Sequence, residues 1–160
     1  MEIWKDFFVA ITGASAALTG LIFVGISISL QRILEIKTLP GRAGLALGLL
    51  MMVLIVSTLC LVPQVSISII GIEILCCGIA MWSIALRIDT SILSQTKPEY
   101  KRLYIQNLIY TQLATLPYIV AGIWMIVAGA PGIYWLIPAF LFSFMKSVLD
   151  AWVLLIEIHR

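Results

Sequence analysis

Charge is scarce in this 160-residue chain: only 11% of its residues are Asp, Glu, Lys or Arg, and histidine occurs once, at His159. A soluble domain of this length is nearer a quarter charged and half apolar. Catalytic motifs are also missing. There is no G-x-S-x-G, no H-E-x-x-H, no P-loop and no G-x-G-x-x-G. Hydrolysis inside a membrane by serine, paired aspartates or a histidine-bound metal requires partners the chain does not supply, so no enzyme is expected. The three cysteines, Cys60, Cys76 and Cys77, all lie in apolar stretches, and adjacent cysteines on one helix do not readily pair. Nothing in their placement suggests a disulfide scaffold. Neither a cofactor nor a nucleic-acid partner is expected.

What is present in excess is apolar: 62% of the residues are hydrophobic, with a mean hydropathy of +1.11. Five runs approach the ~20 residues that cross a ~30 Å hydrocarbon core. They cover residues 7–30, 43–62, 65–86, 108–129 and 133–156. Together they take up most of the chain and leave no segment for a separate soluble domain. The expectation is one domain, residues 1–160: an all-α integral membrane protein folded as a bundle of five transmembrane helices. The first run exceeds the ~7–15 apolar residues of a secretory signal. Acidic Glu2 and Asp6 flank Lys5, and Gln31-Arg32 follows where a cleavage site would stand.

Basic residues are unevenly placed. Arg32, Lys37 and Arg42 follow the first run, and Arg87, Lys97, Lys101 and Arg102 follow the third. The links Pro63-Gln64 and Ala130-Pro131-Gly132 hold none. Cytoplasmic loops carry the excess of Lys and Arg. This predicts an N-out, C-in protein of the bacterial plasma membrane, with the basic loops and the C-terminus in the cytoplasm and the lipid bilayer as its immediate partner.

Small residues form a stripe on the first helix at Ala10, Gly13, Ala17 and Gly20, beside the hydroxyls of Thr12, Ser15 and Thr19. The second helix opens with the G-x-x-x-G of Gly44 and Gly48. Small residues let helix backbones approach closely in lipid. The stripes therefore predict packing, within one chain or across a homo-oligomer. The uniformly apolar 49–56 is expected to face lipid for much of its girth.

Function is sought where an apolar span carries charge. Glu73, Lys146 and Asp150 do so, and a charge near the bilayer centre costs roughly 2.5–3.5 kcal/mol on insertion scales. Lys146 and Asp150 are one turn apart on a stripe with Ser143, Ser147 and Glu157. The fourth helix is polar early, at Asn107, Thr111, Gln112 and Thr115, ahead of the kinking Pro117. Its stripe Tyr104, Asn107, Thr111, Ala114 and Tyr118 is expected to point inward, with Tyr100 and Tyr104 anchoring the helix among headgroups. Lys146 should lean toward its own N-terminus, bringing it to the depth of Glu73. The pattern predicts a small channel or transporter subunit for ions, protons or small cations. Glu73, Lys146 and Asp150 would line its pathway or gate, helped by Thr111, Gln112, Thr115 and Ser143. The alternative is a non-transporting membrane protein that assembles with or regulates a membrane-protein partner through the same charges. A weaker alternative gives Glu73, Cys76 and Cys77, which share part of a face, to a soft metal ion. No other metal site is expected.

Overall fold

The computed structural model describes residues 2–36, 38–64, 66–95 and 101–158. Every apolar run becomes a helix, because no segment without internal backbone hydrogen bonding can cross lipid. The elements are α1 (Lys5–Ile28), the short α2 (Leu30–Glu35), α3 (Leu39–Leu61), α4 (Ile67–Gln95), α5 (Lys101–Ala128) and α6 (Leu136–Ile158). Single 3-10 segments precede α1 at Glu2–Trp4 and α6 at Ala130–Trp135. Five helices are long and apolar enough to span a membrane, and no strand occurs among the described residues.

The helices outrun their apolar windows. α4 has 29 residues, about 43 Å at ~1.5 Å per residue, so its last turns exceed a ~30 Å core. No glycine or proline interrupts residues 79–95, and the late hydroxyls bond back along the helix. Thr90 Oγ1 donates to Leu86 O at 2.7 Å, and Ser94 Oγ to Ser91 O at 2.8 Å. With α5 starting at Lys101, most of the expected polar connection over residues 87–106 is helical.

α3 stands at the centre, with α1, α4 and α6 packed around it. Half of its span is buried, against 11% of the α1 span. This reverses the expected lipid exposure of these two helices. Leu49, Leu50, Met52, Val53 and Val56 are all buried, while Gly13, Ala17 and Gly20 are exposed. Hydropathy does not separate the two fates, since lipid tails are as apolar as leucine. α1 is held mainly by Phe8, Ser15 and Thr12, whose Oγ1 lies 2.8 Å from Ser57 Oγ on α3.

The closest helix approach lies elsewhere than the sequence stripes indicated. A Cβ on Gly13, Gly20 or Gly44 would meet no atom within 4 Å, and one on Gly48 would meet only the end of Met81. The packing expected of Gly13, Ala17, Gly20 and Gly44 is therefore not made within the chain. Instead α4 and α5 cross at Gly71 and Gly122. A Cβ on Gly122 would lie 2.8 Å from both Gly71 O and Leu75 N. Gly129, at φ 75°, makes the turn into the 3-10 segment that returns the chain to α6.

At the Pro63 end of the bundle the core is aromatic. Trp4 meets Tyr134 edge-on at 5.1 Å between ring centroids, and Phe140 touches Phe7, Phe8 and Tyr118 at 6.0–6.4 Å. The opposite half of the bundle is where the polar side chains gather.

Candidate functional site

The polar stripe of α6 turns wholly inward: Ser143, Lys146, Ser147 and Asp150 are buried. Lys146 Nζ donates to the Asp150 carboxylate one turn further on. The side chain of Glu157, at the end of the same stripe, lies outside the described residues. α5 adds Thr111 and Thr115, both buried, on the face it shares with Ala114 and Tyr118.

Two further charges join this layer, neither of them anticipated from the sequence. Asp89 of α4 is 5% exposed and Arg42 of α3 is 9%, against 2% for Lys146 and Asp150. Arg42 and Lys146 both act electrostatically on Asp89, without an ion pair to it among the described residues, and the Thr111 hydroxyl lies beside it. Arg42 acts on Asp150 as well. Two acids and two bases from three helices thus share one layer, with Lys146–Asp150 the one close ion pair among the described residues, and their formal charges cancel. The Arg42 guanidinium carbon stands 5.0 Å over the ring of Tyr104, an arrangement that shields the cation on one side. Tyr104 is thus part of the cluster's boundary, rather than only the expected headgroup anchor; Tyr100 lies outside the described residues.

Hydrogen bonding in this layer is incomplete. Arg42 Nε, Asp89 Oδ2 and Ser147 Oγ are buried without a partner among the described residues. A buried polar atom left unpaired costs about 1–3 kcal/mol, and more when charged. Neighbouring hydroxyls are by contrast engaged, while Gln112 Nε2 is a further buried atom without a partner among the described residues. Thr115 Oγ1 donates to Thr111 O at 2.8 Å. Ser143 Oγ donates to Ala114 O at 3.3 Å, which leaves Tyr118 OH as donor to Ser143 at 3.0 Å. Gln112 faces α4, accepting from Trp82 Nε1 at 2.6 Å. Of the expected pathway hydroxyls, only Thr111 belongs to the charged cluster.

Glu73 does not join it. Its carboxylate accepts from Gln64 Nε2 at 2.7 Å, at the Pro63 turn. Asp89 follows sixteen residues later on the same helix, about 24 Å away at ~1.5 Å per residue. Lys146 pairs with the next turn of its own helix, so the continuous chain of charge expected from Glu73 to Asp150 is not formed. The Glu73 partner Gln64, with Lys5, Cys60 and Ile67 among others, lines a cavity of about 440 Å³ in which Glu73 itself takes no part. The soft-metal alternative is not assembled. Cys76 is exposed, and no group of three metal-ligating side chains occurs among the described residues.

The missed residues had a signal. Arg42 falls on the run Leu39, Arg42, Ala46, Leu49, Val53, Val56 and Cys60, whose spacings alternate 3 and 4 and whose members are all buried. Asp89 likewise lies between buried Ala85 and Ile92 at spacings of 4 and 3. No protein-family model, curated protein or solved structure matches this chain.

Proposed function

We propose that this chain is a small multi-pass channel or transporter subunit for ions, protons or small cations. The Arg42–Asp89–Lys146–Asp150 layer is its ion-handling site. The observation that carries this reading is the combination of four buried charges with the unpartnered Asp89 Oδ2 and Arg42 Nε. A bundle selected for stability alone does better with apolar residues, because buried ion pairs rarely repay their desolvation. Buried polar atoms without a protein partner suit a site that a passing species completes. Glu73, with Gln64 beside the 440 Å³ cavity, serves the opposite mouth. The protein resides in the bacterial plasma membrane, with the basic connections and the C-terminus on the cytoplasmic side, and works as a homo-oligomer.

A second reading, assembly with another membrane protein, is favoured by the open small-residue face of α1. Gly13 and Gly20 have nothing within 4 Å of a built Cβ. Flux assays on the purified chain in liposomes separate the two. Transport predicts movement of H⁺, Na⁺ or K⁺ that Asp89→Asn reduces at least tenfold and Glu73→Gln alters. A wild-type protein that is folded, inserted and silent to all three ions overturns transport and leaves assembly.

A further inference from the structure

We infer that the species handled by the charged layer is the proton, and that Asp89 is the group that binds it. The inference rests on the reading of that layer as a transport site, and three observations lead to it.

The first is the proton inventory around Asp89. Thr111 has a single hydroxyl proton, and Asn107 O takes it at 3.1 Å. Asp89 lies beside the same hydroxyl. With that proton spent on Asn107 O, a bond between the two forms when Asp89 supplies the second proton and Thr111 Oγ1 accepts it. When Asp89 is ionised, Thr111 turns its proton to the carboxylate and releases Asn107 O. The hydroxyl therefore serves either protonation state, with a rotation of one bond.

The second is the charge facing the carboxylate. Arg42 approaches from α3, Lys146 and Asp150 from α6, and the neutral Thr111 from α5. Asp150 is occupied by Lys146. A metal ion brought to Asp89 would meet two cations with only one free carboxylate to hold it, which is the wrong balance for an alkali or divalent site. A proton needs no coordination shell. It adds to a lone pair of Asp89, forming one O–H bond and releasing water from hydronium, and it leaves by the reverse step.

The third is the unpartnered Oδ2 itself. A buried carboxylate oxygen with no protein donor is poorly matched to a permanent negative charge. It is well matched to a group that is neutral for part of a cycle.

The test uses the full chain in lipid nanodiscs and in liposomes. Infrared difference titration with pH as the only variable should show a protonated-carboxyl band that disappears in Asp89→Asn and persists in Asp150→Asn. Thr111→Val should keep the band and shift both its frequency and its midpoint. In liposomes carrying a pH-sensitive dye, proton flux should fall at least tenfold in Asp89→Asn and be retained in Asp89→Glu. A band unaffected by Asp89→Asn overturns the inference, as does Asp89-dependent Na⁺ or K⁺ flux without proton flux; in that second case the transport reading stands. A titrating Asp89 band in a protein that moves no ion supports Asp89 as the proton-binding group while removing the transport reading.

Discussion

Replacing Gly122 with alanine adds one methyl group at the close crossing of α4 and α5. Its Cβ would lie 2.8 Å from Gly71 O, Leu75 N and Leu75 Cβ, and two of those three atoms are backbone. Backbone cannot rotate aside. Restoring the 3.4 Å at which ordinary contact begins requires α4 and α5 to separate by 3.4 − 2.8, or about 0.6 Å. A gap of 0.5–1 Å forfeits roughly a quarter to a half of each dispersion contact it opens. Overpacking of this kind costs about 1–3 kcal/mol. Gly71→Ala, whose nearest contacts are at 3.0 Å, should cost less, and Gly78→Ala, at 3.2 Å, less again. Gly13→Ala meets nothing within 4 Å and should change stability by no more than about 0.5 kcal/mol. Reversible unfolding in mixed micelles, followed by circular dichroism against SDS mole fraction, measures the series. Equal midpoints for Gly122→Ala and wild type, or a Gly13→Ala as damaging as Gly122→Ala, would refute the packing argument.

Lys146→Met strands the buried Asp150 carboxylate and should destabilise by about 3–5 kcal/mol in the same assay; adding Asp150→Leu should recover most of the loss, because Arg42 and Asp89 still balance. Thr12→Val and Ser57→Ala should couple by about 0.6 kcal/mol, the average for a hydrogen bond between membrane helices, and a double-mutant cycle with no coupling would show that α1 is held by apolar contact alone. A topology reporter fused after Arg160 or inserted near Ser94 should report cytoplasm, and one inserted at Pro63 the outer side. The reverse pattern overturns the assigned orientation.

The helical class and the five spans were legible because length and apolarity alone specify them. Which face of each helix meets protein was less so. The stripe Gly13, Ala17 and Gly20 has the composition of an interface, yet lies open on α1, whereas the crossing at Gly71 and Gly122 depends on two isolated glycines in different helices. Single-helix patterns do not contain that pairing. Lys146, Asp150 and Thr111 were found because they interrupt apolar runs. Asp89 and Arg42 escaped notice because a hydropathy window ends where polar residues accumulate, while a helix ends only where its backbone bonding stops. Reading the 3-and-4 spacing of α3 back to Leu39 would have placed Arg42 on the buried face.

The contrast between the open α1 and the inward polar stripe of α6 also bears on how the chain is made. Of these helices α1 leaves the ribosome first, and its apolar surface lets it wait in lipid with no neighbour. Arg42 and Asp89 come next, each near a helix end, where water and headgroups can solvate them until a partner comes. α6 carries two charges mid-span, and it is synthesised after the residues that receive them. The order of synthesis thus delivers the least lipid-tolerant helix into a bundle already prepared for it. Moving α6 ahead of α3 by permuting the gene would expose Lys146 and Asp150 to lipid before Arg42 and Asp89 exist.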